Sequence, residues 1–281
     1  MTLVFPVSRH RIAHAALAAG LVLCTGAAQA DDALALQASR DYVVGAAIVS
    51  SAAHIGESER RLSLSPVWAF QIGRFRLASG PAANLLSVGR EKVDAGLSTV
   101  LVSQGAWRLS TSLRIRDARE SADDALLQGL PDVRATLLGR VNASVDLGSR
   151  WTGSLSATQD LLGRGSGLGL GAGLGYRHPL SASTYWDASV GLGWGNALAH
   201  RTNFGISPEA AAASGRAPYA IGAGWDSASL GWNLTSALSE RWVAYGGVGV
   251  SQLQGAAARS PLVGRRTVAS ASIGLAYRDR H

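Results

Sequence analysis

Past residue 30, acid–base chemistry in this chain rests on four histidines: His54, His178, His200 and His281. A hydrolase needs a nucleophile or an activated water with a histidine and an acid in reach. The polar run His200-Arg201-Thr202-Asn203 suits such a site best, yet no serine elbow or paired carboxylates accompany it. His54 falls in a predicted outer loop, His178 in a predicted short turn, and His281 ends the chain. A Gly-x-Gly-x-x-Gly search succeeds between Gly165 and Gly175. Dinucleotide binding needs that pattern at a strand-to-helix turn. Here every second residue is glycine within a strand, so the missing side chains make room rather than hold phosphate. No His, Cys, Asp and Glu set has metal-ligand spacing, and a single cysteine, Cys24, excludes a disulfide scaffold or a cysteine-based zinc site. The expectation is a protein without enzyme activity, cofactor or metal.

What remains is charge. By parity within each strand, Arg74, Arg76, Arg108, Arg114, Arg116, Arg134, Arg140, Arg177 and Arg278 share the inward face with Asp146, Asp160, Asp187 and Asp226. On strands, residues of one parity share a face. Turned into a water-filled lumen, that face would favour anions. Paired with the acids and with loops, the same arginines would instead plug a narrow lumen. The sequence pI is near 10.3, but the arginines are spread singly rather than clustered, which argues against nucleic acid.

The elements that must carry these residues are strands. Val133, Ala135, Leu137, Gly139, Val141, Ala143 and Val145 alternate with Arg134, Thr136, Leu138, Arg140, Asn142, Ser144 and Asp146. Leu168, Leu170, Ala172, Leu174 and Tyr176 alternate with glycines at 167, 169, 171, 173 and 175. The runs around Trp151 and Trp186 behave alike. Such segments reach about ten residues, whereas strands of soluble proteins average about 5–6. Their second face is Gly, Ser and Arg, as in the interior of a membrane barrel. Glycine is about 12% of the chain, charged residues are 16% and hydrophobic residues 47%. That composition is too apolar for disorder and too poor in charge for an ordinary cytosolic enzyme.

Arg9 and Arg11, the apolar run Ala15 to Leu23, and Ala28-Gln29-Ala30 form a Sec-type signal peptide. The expected division is a cleaved segment 1–30 and an outer-membrane β-barrel over 31–281. Short joints fall at Gly73-Arg74, Gln104-Gly105, Gly148 to Arg150, His178 to Ser183 and Ser236 to Glu240. Phe75, Trp107, Trp151, Trp186 and Trp242 follow them, as an aromatic girdle at the periplasmic interface would. Longer loops are read at 51–62, 80–95, 117–132, 160–166, 197–217 and 254–265. Eleven connections give an all-β antiparallel barrel of twelve strands with both termini periplasmic. Alternation is poor over 93–103, and parity flips between Trp225 and Ala228, as a β-bulge would cause. Ten strands is the alternative.

The segment Arg-Ser-Pro-Leu-Val-Gly from Arg259, followed by Ile273-Gly274-Leu275-Ala276-Tyr277-Arg278, resembles the end of MipA/OmpV proteins. There, a Ser-Pro-aliphatic-Val loop precedes a closing strand of the form Gly-Leu-x-Tyr-Arg-Phe. Asn203 to Ser207, Tyr219 and the stretch from Asp160 to Gly169 are similar to the family as well. Asp279 stands where the family's closing Phe would be. The resemblance implies a non-enzymatic outer-membrane barrel that contacts lipid and lipopolysaccharide. It further implies a scaffold or partner of periplasmic murein-remodelling enzymes. The competing expectation is a passive small-solute pore with anion preference.

Overall fold

The computed structural model describes residues 42–51, 61–80, 82, 85, 95–122 and 125–279. The signal segment, His54 and His281 lie outside the described residues. Twelve strands follow in order: β1 (Tyr42–Ser51), β2 (Arg61–Ile72), β3 (Phe75–Ala78), β4 (Gly96–Gln104), β5 (Trp107–Arg116) and β6 (Thr136–Leu147). After them come β7 (Trp151–Asp160), β8 (Leu168–Pro179), β9 (Thr184–Gly195), β10 (Gly224–Ala237), β11 (Trp242–Leu253) and β12 (Thr267–Asp279). Each strand pairs antiparallel with its sequence neighbours, and β1 closes the ring on β12. Closure leaves no sheet edge at the seam, which is what lets strands cross hydrocarbon. The twelve strands and five short turns read from the sequence are present among the described residues, so the ten-strand alternative falls.

Short turns gather at one end of the barrel. Gly73, Gly105 and Gly148 adopt φ of 57°, 56° and 75° there, a left-handed backbone that glycine takes without strain. The parity flip is a register shift between Trp225 and Ser227, and a second shift between Val100 and Val102 accounts for the poor alternation of β4. Three boundaries differ from the sequence reading. Residues 133–135 precede β6 as loop, with Val133 in an isolated bridge to Arg119. Strand β8 runs on through His178 and Pro179, so its turn begins at Leu180. Finally, the loop after β9 contains two helices, α1 (Ala197–Phe204) and α2 (Pro208–Ser214). Their caps are local: Asn196 Oδ1 accepts from the Ala199 N–H at 2.9 Å, and Ser207 Oγ from the Ala210 N–H at 3.2 Å. Among the described residues no helix is long and apolar enough to cross a membrane.

The outer surface is apolar: Leu155, Leu170, Leu174, Val190, Leu230, Val248 and Ile273 are all exposed. Inside, the alternate positions are small. A Cβ on Gly171 would lie 2.8 Å from Ser156 Oγ, and one on Gly191 would lie 2.7 Å from Ser229 Oγ. Glycine on one strand thus receives the serine of the next. The interior divides into two sides. Val43, Ala47, Val67, Ala69, Ala78, Val243 and Ala276 pack an apolar cluster on the β1, β2, β3, β11 and β12 side, together with Ala82 and Leu85. The opposite side is polar and encloses a cavity.

Candidate functional site: the lumen and the loops that cross its mouth

The cavity has a volume of about 390 Å³ and is lined by Arg76, Arg108, Arg140, Asn142 and a series of serines from β6, β7, β9 and β10. Inward parity on β3, β5 and β6 delivers the three guanidinium groups. Arg140 donates to Ser156 Oγ at 2.9 Å, and Arg76 Nε donates to Gln71 Oε1 at 3.1 Å. Several other charges read from the sequence lie outside the lining of this cavity. Arg74 lies in the β2–β3 turn, where it donates to Thr99 Oγ1 and the Val100 carbonyl. Arg177 makes a two-pronged ion pair with Asp187 at 2.6 and 3.1 Å, near the short-turn end, and stacks over the Tyr185 ring. Asp146 accepts from Thr152 Oγ1 at 3.1 Å. Arg278 lies on β12 opposite Val43, and its Nε is buried.

At the long-loop end the charges organise loops. Asp160 is buried at the end of β7 and accepts from Thr136 Oγ1 at 2.5 Å, from the Leu162 N–H at 3.1 Å and from the Ser166 N–H at 2.9 Å. Arg116 reaches Ser166 Oγ at 2.7 Å and Asn203 Oδ1 at 2.8 Å, while Arg114 is exposed on the same strand. Arg134 lies before β6, in the loop, rather than on a strand.

His200 is the decisive side chain of this region. It is 2% exposed, although the sequence reading placed it in a long outer loop. Helix α1 carries it down against the barrel wall, where its Nδ1 lies 2.7 Å from the Gly222 carbonyl and Nε2 lies 3.2 Å from Asp226 Oδ2. A carbonyl only accepts, so Nδ1 must donate, while Nε2 faces a carboxylate oxygen. Asp226 reaches inward because of the bulge in β10, and its other oxygen accepts from Ser227 Oγ at 2.7 Å. Both ring nitrogens are thus committed, and the serine bonds the acid rather than the histidine. That arrangement fits an anchor, not a nucleophile activated by a base. A Cβ on Gly195 would lie 2.6 Å from the His200 ring. Gly195→Ala is therefore expected to push the ring out and to cost about 1–3 kcal/mol in denaturant unfolding. An unchanged unfolding midpoint would contradict this packing.

Two apolar clusters complete the cap. Leu127 and Leu130 from the β5–β6 loop meet Ile206, Ala210 and Ala211 from the β9–β10 loop and Leu262 from the β11–β12 loop. Phe204 and Ile221 meet Leu253 and Ala257. The β5–β6 and β11–β12 hairpins lie six strands apart in a ring of twelve, which puts them on opposite sides. Contact between their loops therefore bridges the mouth. Polar contacts tie the same elements: Ser260 Oγ donates to the Phe204 carbonyl at 2.6 Å, and Tyr219 OH to the Ala256 carbonyl at 2.7 Å. Among the described residues no group of three His, Cys, Asp or Glu side chains could hold a metal ion.

A model of the MltA-interacting protein MipA family matches residues 44–278, nearly every strand described above. The chain belongs to the MipA family. Comparison with curated protein sequences gives no significant match. Solved structures similar to it are outer-membrane barrels. The anion-selective porin from Comamonas acidovorans is 9% identical over 86% of this chain and 99% of its own, with a TM-score of 0.39. An outer-membrane channel from Pseudomonas putida F1 is 13% identical over 85% and 94%, with a TM-score of 0.39. The CymD monoaromatic hydrocarbon channel is 10% identical over 87% and 90%, with a TM-score of 0.40.

In this MipA-family barrel, Phe75, Trp107, Trp151 and Trp242 open the strands that leave the short turns, and Trp186 is the third residue of β9. The sequence reading missed the partners on descending strands. Tyr176 lies 4.7 Å from Trp151 and 5.4 Å from Trp186, and Tyr277 lies 5.4 Å from Trp242 and 6.3 Å from Tyr42, ring centre to ring centre. A signal was present: Tyr176 has the outward parity of Leu170 and Leu174, and only strand register shows it facing Trp151. His178 belongs to this belt as well, with its ring 5.5 Å from that of Trp186.

Proposed function

We propose that this protein is a non-enzymatic outer-membrane barrel whose work is done through a periplasmic protein partner, a murein-remodelling enzyme. The bridged mouth carries the reading, because loops from opposite hairpins pack across the route a solute would take. Membership of a family named for interaction with MltA supplies the class of partner. In outer-membrane barrels the short turns face the periplasm, so the partner meets the end that carries Arg74, Arg150 and Arg241. Residues 1–30 are removed on export, leaving a mature chain from Asp31.

The test is retention of a purified murein lytic transglycosylase from the same cell by the immobilised, refolded chain 31–281. Retention at physiological salt is expected, with release when a short-turn peptide competes. Free passage of the enzyme would overturn the proposal. A second reading, an anion-preferring pore, is favoured by Arg76, Arg108 and Arg140 around the central cavity. It requires steady conductance without any partner.

A further inference from the structure

Helix α1 is held to the barrel by several contacts, and one of them depends on a proton. His200 is buried with both ring nitrogens against acceptors: Nδ1 lies 2.7 Å from the Gly222 carbonyl, and Nε2 lies 3.2 Å from Asp226 Oδ2. The carbonyl fixes one proton on Nδ1. A second proton must then lie between Nε2 and Oδ2, whether the ring or the acid carries it. Without that proton, two lone pairs face each other. Moving the remaining ring proton to Nε2 only transfers the conflict to the Gly222 carbonyl. The ring is also closely packed, since a Cβ on Gly195 would lie 2.6 Å from it and Phe204 meets it edge-on. Among the described residues Asp226 of β10 is the ionisable group that meets the ring. Strand β9 presents Gly195 there, the segment before β10 presents Gly222, and Phe204 comes from α1 itself. Arg201, the next residue of α1, lines a cleft between loops together with Arg134 and Arg164. Further ties to α1 run through groups that keep their charge state near neutral pH. Arg116 donates to Asn203 Oδ1, Arg119 to the Thr202 carbonyl, and Ser260 to the Phe204 carbonyl.

We infer that the His200–Asp226 pair is a pH-sensitive latch on the cap: the mouth stays closed while the pair holds its shared proton and is released as rising pH removes it. The closed state requires that proton and the released state does not, so acid favours closure. Histidine ordinarily titrates between about pH 5 and 8, the range in which such switches work. The Asp226 side chain is 24% exposed, which gives the proton a route to water although the ring is buried. The latch rests on the bridged mouth of the reading above, but not on its protein partner.

The refolded chain 31–281 is recorded in a planar bilayer at about pH 5 and about pH 9, on either side of that range. Silence is expected at the acid end. At the alkaline end the open probability is expected to rise about tenfold or more, the shift that loss of one charge-assisted hydrogen bond brings. Asp226→Asn separates the latch from a merely structural contact. Its amide N–H can donate to the bare Nε2 of a neutral ring, while its Oδ1 still accepts from Ser227 Oγ. That variant is therefore expected to stay silent at both ends. His200→Gln has no proton to lose and is expected to conduct equally at both. Circular dichroism establishes that each variant is folded. Silence of the unaltered chain at both ends would overturn the latch and leave the bridged mouth standing. Channels at both ends would contradict the bridged mouth and the latch with it. An unaltered pH response in Asp226→Asn or His200→Gln would place the trigger on another group and overturn the latch.

Discussion

Leu174→Arg is expected to destabilise the folded barrel in lipid vesicles by about 2–4 kcal/mol. Leu174 is 38% exposed and sits at the middle of β8, facing outward between Gly153 and Val190. An arginine there meets hydrocarbon with no partner, and the cost falls to about 0–1 kcal/mol toward the interfaces. Leu170, four residues nearer the long loops on the same face, is therefore expected to tolerate arginine better. Arginine at Gly171 points inward and acts differently, through crowding against Ser156 Oγ. Denaturant titration of the three variants in vesicles measures the order. Equal losses at Leu174 and Leu170 would contradict the placement of the membrane across the strands.

His200→Ala is expected to release the cap while leaving the strands intact. The change removes the donor to the Gly222 carbonyl, leaves Asp226 Oδ2 without its His200 contact and takes away the ring that packs edge-on against Phe204, 6.0 Å between centres. Loss of a buried ring together with an unpaired acceptor costs about 2–4 kcal/mol. The apolar clusters over the mouth cannot replace the lost hydrogen bonds. The expected readout is new conductance in a planar bilayer, with a far-ultraviolet circular dichroism spectrum like that of the parent. His200→Gln, which keeps a donor, should open the mouth less. A silent His200→Ala barrel would show that the cap is held by something else.

How much of this was legible beforehand follows from where the signal lies. Period-two alternation is imposed by a one-sided membrane environment, so the strands of β6 to β9 could be read almost residue by residue. Turn glycines such as Gly73 and Gly148 marked the hairpins for a backbone reason. The cap could not be read in this way. His200 and Asp226 are 26 residues apart, and they meet only because α1 folds back and the bulge in β10 turns Asp226 inward. Neither event has a periodic signature, although Asn196 and Ser207-Pro208 are recognisable helix starts in hindsight. Arg134 shows the same limit. Its parity continues that of Arg140, but the strand begins two residues later, and that shift moves it from the lumen face to the loop cleft.

Conductance of the refolded mature chain across a planar bilayer under a salt gradient tests the capped barrel most directly. The bridged mouth predicts silence from the unaltered protein, with its β-barrel fold established in the same preparation. Steady channels with anion preference would contradict it and make Arg76, Arg108 and Arg140 the walls of an open pore.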